Sequence, residues 1–448
     1  MKLLIRDGRV VDPASGRDER ADVAIADGRI VAIVAGAAGS ATGPLRDFAA
    51  ERTLDASGLV VMPGLVDLAA RLREPGHEHE AMLESELAAA AAGGVTSLVC
   101  PPDTDPVLDE PGLVEMLKFR ARQLSRCRLF PLGALTRGLQ GQALTEMAEL
   151  SEAGCVGFSQ ADVAVADTMV LLRALQYAAT FGYTVWLRPH DAWLGNGVAA
   201  AGAVATRLGL SGVSVAAETV ALHTIIELVR TTRARVHLMR LSSAAGVALV
   251  RAAKAEGLPV TADVSINSLH LTDVDIGYFN ADMRLAPPLR QGADRDALRA
   301  GLADGTIDAL VSDHNPVAED MKNLPFGEAE PGATGLELLL SLALRWGADL
   351  GLPLSTTLAR ITSDPVRVLG NAVGPLAHSA GRLIEGGVAD LCLFDPDTTW
   401  SVAPERLASQ GKHTPFSFAA TGMALPGRVR ATLVAGTVAF EAAAAPPA

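Results

Sequence analysis

The segment VVMPGLVDLAARLREPG, residues 60–76, begins as an apolar, strand-like run and ends in a polar turn. Its first eight residues are the first of eight such runs, which alternate along the chain with segments of helical apolar spacing. The other seven are VTSLVC (95–100), CRLFPL (127–132), CVGFS (155–159), YTVWLR (183–188), ARVHLMRLS (234–242), LPVTADVS (258–265) and IDALVSD (307–313). Eight buried strands alternating with helices predict an α/β fold of the (β/α)8 barrel type.

The segments between the runs carry apolar residues at helical spacing, with many Ala, Leu and Glu residues. They include EAMLESELAAAAAG (80–93), LVEMLKFRARQL (113–124), TMVLLRALQYAATFG (168–182), ETVALHTIIELVRTT (218–232) and AAGVALVRAAKAEG (244–257). An open doubly wound sheet is the alternative to a barrel. Its phosphate-binding loop is missing, because GAAGSATG at residues 36–43 has no lysine and no strand-to-helix context.

The two chain ends have a different pattern, with short strands and turns. LLIRDGRVVD and VAIADGRIVAIVAG each centre on an Asp-Gly pair, Asp7-Gly8 and Asp27-Gly28, which is a hairpin signal. We expect a small β-sandwich built from both ends, with its N-terminal part at 1–60 and its C-terminal part at 371–442. The barrel then occupies 61–370, residues 39–46 form a loop, and 443–448 form a frayed tail.

Composition excludes several classes of function. The chain has 448 residues, is 49% hydrophobic and carries a net charge of −13, which disfavours nucleic-acid binding because phosphate contacts need a basic face. No signal peptide and no membrane-spanning run is visible, so we expect a cytoplasmic protein. Four cysteines without a CxxC pair are expected to be buried thiols, because Cys100, Cys127 and Cys155 lie in or beside apolar runs.

The chemistry of a barrel is expected at the carboxyl ends of its strands. There the sequence places Ala69 and Arg71 after strand one, Gln160 after strand four, and Arg188 after strand five. Arg240 follows strand six and Asp313 follows strand eight.

Long ordered segments resemble the dihydroorotases of the long bacterial type, in the amidohydrolase superfamily. The resemblance covers nearly the whole chain and includes VVMPGLVD, the LREPG turn, APPLRQGADRDALRAGLADGTIDALVSDHNP, TGLELLLSL, ITSDPVRVLG and KHTPF. It implies an amidohydrolase barrel. It also implies a site that holds one or two zinc ions through an HxH pair, a bridging Asp or carboxylated Lys, two further histidines and an aspartate.

That ligand set is almost entirely replaced in this sequence. The implied metal-ligand positions are Ala69, Arg71, Gln160, Arg188, Arg240 and Asp313, of which only Asp313 keeps the family residue. Arg73 stands at the position implied to grip the substrate carboxylate, and Asp103 replaces a substrate-binding Asn. Arginine stays protonated and offers no lone pair, so it cannot bind zinc. We therefore expect no cofactor, and we expect at least one of the three strand-end arginines to reach Asp313.

Histidines elsewhere leave a relocated metal site as an alternative. His77 and His79 form an HxH pair, but it lies beyond the Pro75-Gly76 turn, where solvent exposure is expected. His237 lies three residues before Arg240. Because successive residues of a strand point to opposite faces, we expect it on the face opposite Arg240. His190 follows Arg188 by two residues and is the only histidine placed to act as a displaced ligand.

The resemblance also implies a role. Some bacteria carry such dihydroorotase-like chains as the non-catalytic partner of the aspartate transcarbamoylase catalytic chain, and we expect the same role in pyrimidine biosynthesis here. A homo-oligomer is a further expectation. Two alternatives stay open. One is an active zinc-dependent cyclic-amide hydrolase of the dihydroorotase, allantoinase or hydantoinase type, and the other is a small-anion sensor that uses the strand-end arginines with Arg73.

Overall fold

The structure is a computed structural model that describes residues 2–36, 45 and 48–443. The predicted loop at 39–46, apart from Leu45, and the predicted tail, apart from Ala443, lie outside the described residues. The strands are β1 Lys2–Asp12, β2 Arg17–Ala26, β3 Arg29–Ala35, β4 Arg52–Asp55, β5 Val60–Pro63, β6 Leu65–Asp67, β7 Val95–Cys100, β8 Arg128–Pro131, β9 Gly133–Ala134, β10 Phe158–Ser159, β11 Thr184–Leu187, β12 Ala199–Ala200, β13 Gly212–Val213, β14 Arg235–Leu238, β15 Val260–Ser265, β16 Ala309–Val311, β17 Leu391–Ser401, β18 Ala424–Val434 and β19 Thr437–Glu441.

The α-helices are α1 Leu83–Ala92, α2 Pro111–Leu124, α3 Met147–Ala153, α4 Thr168–Phe181, α5 Ala203–Leu208, α6 Ala216–Thr232, α7 Ala244–Ala255, α8 Ile266–His270, α9 Gly292–Asp304, α10 Glu319–Lys322, α11 Leu339–Asp349, α12 Leu354–Ala359, α13 Ser363–Leu369 and α14 Phe418–Thr421. The five helices predicted from apolar spacing are confirmed as α1, α2, α4, α6 and α7. None of the described helices is long and apolar enough to cross a bilayer.

The predicted barrel is confirmed. Parallel pairs join β6 to β7 and β7 to β8, and the path then runs from β9 through β10, β11, β14 and β15 to β16. A parallel bridge between Ala70 and His314 joins the first strand to the last, where the Arg71 amide donates to the His314 carbonyl at 2.8 Å. Closure brings the ends of strands that are distant in sequence to one side of the barrel.

A separate β-rich unit forms from both chain ends, as expected. Its strands follow the order β19-β18-β17-β5-β1-β2-β3, with β4 also paired to β1. The antiparallel pair β5–β17 joins the N-terminal and C-terminal contributions. Leu3, Ile5, Val61, Leu391 and Leu433 lie together in the buried apolar core of this unit.

One of the two predicted hairpins is wrong. Asp27-Gly28 forms the turn between β2 and β3, with φ values of 51° and 76°. By contrast, Asp7-Gly8 lies inside β1, where the pairing with β2 shifts register between Ile5 and Gly8. Asp7 has a φ of 64°, and a Cβ on Gly8 would lie 2.5 Å from Val61 Cγ2. The Asp-Gly pair therefore forms a β-bulge with close backbone approach, a structure that uses the same two residue types as a turn.

The prediction that cysteines are buried thiols is confirmed. Cys100, Cys127, Cys155 and Cys392 are all buried and free. Burial raises the pKa of Cys100 and of Cys155 to about 12, so both remain protonated thiols at neutral pH.

Candidate functional site

Three arginines and an aspartate lie just beyond four barrel strands. Arg71, Arg188 and Arg240 follow β6, β11 and β14, and Asp313 follows β16. Arg240 and Asp313 have φ values of 54° and 50°, in the left-handed region that residues with a side chain rarely occupy. The backbone therefore turns sharply as it leaves β14 and β16, and this strained geometry places both residues at the barrel mouth.

The arginines meet at a carboxylate that the sequence analysis missed. Arg71 Nη2 donates to Asp162 Oδ2 at 2.9 Å, Arg240 Nη2 donates to Asp162 Oδ1, and Arg188 Nη1 lies 3.5 Å from Oδ1. Asp162 lies two residues beyond Gln160, after a left-handed turn at Ala161 whose φ is 51°. A signal was available, because three buried arginines require counter-charges and Asp162 is the first carboxylate after β10.

Two further aspartates complete the group. Arg71 Nε donates to Asp103 Oδ2 at 2.8 Å, and Arg240 Nη1 donates to Asp313 Oδ1 at 3.0 Å. The second contact confirms the prediction that a strand-end arginine reaches Asp313. We call Arg71, Arg188, Arg240, Asp103, Asp162 and Asp313 the strand-end cluster. Its three positive and three negative side chains balance when all are ionised.

The cluster shifts the proton affinity of its members. Burial alone would raise the pKa of Asp162, but Arg240, Arg71 and Arg188 together hold it well below its ordinary value. Burial raises the pKa of Asp313 despite the opposing charges of Arg240 and Arg71. Asp162 is thus held in its charged form more firmly than Asp313, which fits its central position among the arginines.

Of the other two implied ligand positions, one side chain is held by internal hydrogen bonds and the other has no donor atom. Gln160 is buried, accepts from Thr136 Oγ1 at 2.9 Å and donates through Nε2 to the Leu139 carbonyl at 2.7 Å. The Ala69 side chain is a methyl group, and its backbone carbonyl accepts from the His314 amide at 3.1 Å. Ala69 therefore offers no side-chain donor, and the Gln160 side chain is held by the segment from Thr136 to Leu139.

Arg73 is held by internal partners. Its Nε donates to the Pro316 carbonyl at 2.9 Å and lies 2.6 Å from Glu80 Oε2. Its Nη2 donates to Glu330 Oε1 at 3.2 Å. The side chain is only 11% exposed, so the group implied to grip a substrate carboxylate is already paired with carboxylates of its own chain.

The histidines are dispersed. His77 and His79 are exposed on a turn, with side chains 36% and 68% accessible, as expected. Buried His237 contacts Asp263 Oδ2 through Nε2 at 2.8 Å and Thr261 through Nδ1 at the same distance. His190 is half-buried beside Arg188, and burial together with the Arg188 charge lowers its pKa, so it is neutral at neutral pH.

A second buried polar group adjoins the cluster, because His314 follows Asp313 directly. His314 Nε2 lies 2.7 Å from Glu86 Oε2, which also accepts from Ser409 Oγ at 2.6 Å. The Gln410 amide donates to Glu86 Oε1 at 2.9 Å. We call Glu86, His314, Ser409 and Gln410 the Glu86 network. It ties the barrel to the connection between β17 and β18 of the β-rich unit.

The strand ends do not fit a zinc ion. Zinc requires three or four nitrogen, sulfur or oxygen lone pairs from deprotonated groups. Asp313 is the one ligand residue retained, and it is occupied by Arg240, while guanidinium groups of Arg71, Arg188 and Arg240 lie at three of the other implied positions. Across the described residues, no three His, Cys, Asp or Glu side chains gather in a geometry that could hold a metal.

The chain is similar to known proteins over nearly its whole length. A family model described as dihydro-orotase-like matches residues 58–245. A dihydroorotase-like protein of Pseudomonas aeruginosa is 45% identical over 98% of this chain and 100% of its own length. A dihydroorotase of Geobacter sp. (strain M21) is 37% identical over 99% of this chain and 100% of its own. The solved L-hydantoinase (dihydropyrimidinase) of Arthrobacter aurescens matches with a TM-score of 0.82 at 25% identity, covering 97% of this chain and 95% of that one.

Proposed function

The chain belongs to the dihydroorotase-like family, and we propose that it is a catalytically inactive member, a cytoplasmic non-catalytic subunit that supports aspartate transcarbamoylase in pyrimidine biosynthesis. The observation that carries the loss of catalysis is the strand-end cluster. Its arginines stand at metal-ligand positions implied by the family resemblance, and each is paired with an aspartate.

The chemistry of hydrolysis explains why this substitution matters. A metal ion lowers the pKa of bound water from about 15.7 to about 7, which makes hydroxide available at neutral pH. Guanidinium groups repel a divalent cation, at roughly 4 kcal/mol for two unit charges 4 Å apart in a medium of effective dielectric 20. The cluster contains no imidazole, and each of its carboxylates is paired with an arginine. For Asp162 the arginines hold the pKa well below its ordinary value, which makes it a poor base.

The partner role rests on the family resemblance and on the relatives. Two relatives at 45% and 44% identity, from Pseudomonas aeruginosa and Pseudomonas putida, are named dihydroorotase-like. They are more similar to this chain than the dihydroorotase of Geobacter sp. (strain M21), at 37%. A barrel that is kept without its metal chemistry is available as a binding surface, and function then depends on that surface.

The alternative function is a zinc-dependent cyclic-amide hydrolase. The similarity to an L-hydantoinase and to dihydroorotases favours it at the level of the fold. It requires new ligands, and among the described residues His190, which lines the same cavity as Arg188, is the histidine placed to supply one. A small-anion sensor that uses all four arginines is disfavoured, because Arg71, Arg73 and Arg240 already pair with Asp103, Asp162, Asp313, Glu80 and Glu330.

Metal content and activity separate the two functions. We expect protein purified without chelators, then incubated with zinc and desalted, to retain less than about one-tenth of an equivalent of zinc and to show no dihydroorotase turnover. The His77→Ala, His79→Ala double variant should behave identically, since both residues lie on an exposed turn. Stoichiometric zinc accompanied by turnover would reject the inactive assignment and support the hydrolase.

Size-exclusion chromatography tests the partner. We expect this chain and the aspartate transcarbamoylase catalytic chain of the same organism to co-elute when mixed, through interfaces burying more than about 1,000 Å². The transcarbamoylase alone should be incompletely assembled or less active. Arg73→Ala should leave the complex unchanged, because Arg73 is enclosed by Glu80 and Glu330. Two separate peaks with a fully active transcarbamoylase would eliminate the partnership.

A further inference from the structure

A cavity of about 100 Å³ opens beside the strand-end cluster. Its walls come from the ends of β10 and β11, the segment that follows each of these strands, and helices α4 and α6. Arg188 is the one arginine of the strand-end cluster that lines it. The cavity is therefore offset from Asp162 toward the end of β11.

Arg188 is the least satisfied cation of the cluster. Arg71 and Arg240 each donate hydrogen bonds to two carboxylates. In the described part of the chain, Arg188 has a single ionic contact, to Asp162 at 3.5 Å, and its guanidinium donates no hydrogen bond. Its side chain is only 11% exposed. A buried guanidinium with five N–H donors and one long ion pair retains the capacity to bind an anion.

His190 is a second polar group in the same wall. Its ring is half-buried and makes no hydrogen bond to another described residue. Gly195 packs directly against the ring, since a Cβ built on Gly195 would lie 1.8 Å from His190 Cε1. That close packing fixes the ring in the cavity wall next to Arg188. A neutral imidazole there can donate one N–H to an oxygen held by the arginine.

The remaining surface of the cavity is apolar. Leu171, Leu187 and Ile225 are buried and line its interior. At the rim, Trp193 is 71% exposed and Val163 is 48% exposed, which is unusual for side chains of this size. Polar donors that converge at one side and apolar walls elsewhere are the usual lining of a site for a small organic molecule.

From the free donors of Arg188, the fixed ring of His190 and the apolar walls, we infer that this cavity binds a small organic carboxylate with an apolar body. The carboxylate would accept from Arg188 and His190, and the body would lie against Leu171 and Ile225, with the Trp193 indole over the opening. This site is independent of the proposed subunit role. A failure of either idea therefore leaves the other standing.

Intrinsic fluorescence of the full-length protein gives a direct test. Benzoate is the probe, benzamide is its neutral counterpart of the same shape, and inorganic phosphate is a control for unspecific anion binding. We expect a saturable change in tryptophan emission with benzoate, at an affinity at least about ten-fold higher than with benzamide or phosphate, because an arginine–carboxylate pair is charge-assisted. The change should be lost in Trp193→Phe, and calorimetry should still detect binding in that variant.

Variants then locate the site without disturbing the ion pairs of the cluster. His190→Ala removes one donor, and Ala221→Leu fills the cavity from α6, so each should weaken benzoate binding by about ten-fold or more. His223→Leu is the matched control, because His223 lies on the same helix, is exposed and does not line the cavity. Its affinity should equal that of the unmodified protein.

Three results would overturn the inference. They are the absence of saturable benzoate binding, equal binding of benzamide or phosphate, and an affinity that Ala221→Leu leaves unchanged. Circular dichroism of each variant establishes that it is folded. Should His190→Ala fail to fold, Ala221→Leu and His223→Leu decide the question alone.

Discussion

The strand-end cluster and the Glu86 network adjoin each other, yet they neutralise buried charge in different ways. Asp313 belongs to the first and His314 to the second, so consecutive residues serve two separate groups. In the cluster, arginines are matched by aspartates from several strand ends. In the Glu86 network, one carboxylate is held by a histidine, a hydroxyl and a backbone amide.

This difference shows two ways in which one barrel balances buried charge at its strand ends. A charge introduced at a strand end must be countered nearby, because an unpaired buried charge costs several kcal/mol. The arginines of the cluster meet that demand through Asp162 and Asp103. The Glu86 network needs no such counter-charges. None of its residues stands at an implied metal-ligand position.

The largest effect is expected at the centre of the cluster. Asp162→Asn leaves three buried arginines without their shared counter-charge, and we expect the free energy of unfolding to fall by about 3–5 kcal/mol. Denaturant unfolding measures the change. Asp296→Asn is the control, because Asp296 is 66% exposed and pairs only with Arg295 among the described residues, so its effect should stay within about 0.5 kcal/mol. Equal effects for the two variants would show that the cluster contributes no stability.

A smaller loss is expected in the Glu86 network. Glu86→Gln keeps the shape of the side chain but turns an amide NH2 toward groups that donate to the carboxylate. We expect a loss of about 2 kcal/mol in the same unfolding measurement. Glu84→Gln, at an exposed position of the same helix, should change stability by less than about 0.5 kcal/mol. If Glu86→Gln lost more stability than Asp162→Asn, the ranking of the two regions would be reversed.

The third prediction concerns the periphery of the cluster. Asp313 contacts Arg240, which remains paired with Asp162 when Asp313 is removed. A double-mutant cycle of Asp313→Asn and Arg240→Met should therefore give a coupling energy of about 1–2 kcal/mol, below the cost of losing Asp162. Additive effects in this cycle would mean that the 3.0 Å contact adds no stability.

The smallest effect concerns Asp67, a buried carboxylate without an arginine partner among the described residues. Burial raises its pKa to about 6, although the Ser312 hydroxyl and amide donate to it. The folded state therefore binds this proton more tightly than the unfolded state, so the stabilising contribution is complete below about pH 4 and declines as pH rises through about 6. Between about pH 5 and 7 the decline should be about 1 kcal/mol, and Asp67→Asn should remove it. Parallel stability curves for the two proteins across that range would refute the assignment.

Several parts of the site follow from residue chemistry alone. Arg71, Arg188 and Arg240 cannot bind a metal in any fold, because guanidinium has no lone pair. A contact between Asp313 and at least one of these arginines follows in the same way, since a buried carboxylate requires a donor, and the structure identifies that arginine as Arg240. The predicted hairpin at Asp7-Gly8 is wrong because a β-bulge and a tight turn use the same residue types, and only pairing with β2, β4 and β5 distinguishes them.

The sequence by itself determined the eight strands and the helices between them, because periodicity is a local property. The replacement of the implied metal ligands followed from the family resemblance together with the donor chemistry of arginine. Only the tertiary structure decided that Asp162 is the shared partner of the arginines and that Arg188 is left facing a cavity. Those contacts join residues as far apart as Arg71 and Asp162, which are 91 positions apart. Such contacts depend on barrel closure and on the left-handed turns beyond the strands, and neither is encoded in any single segment.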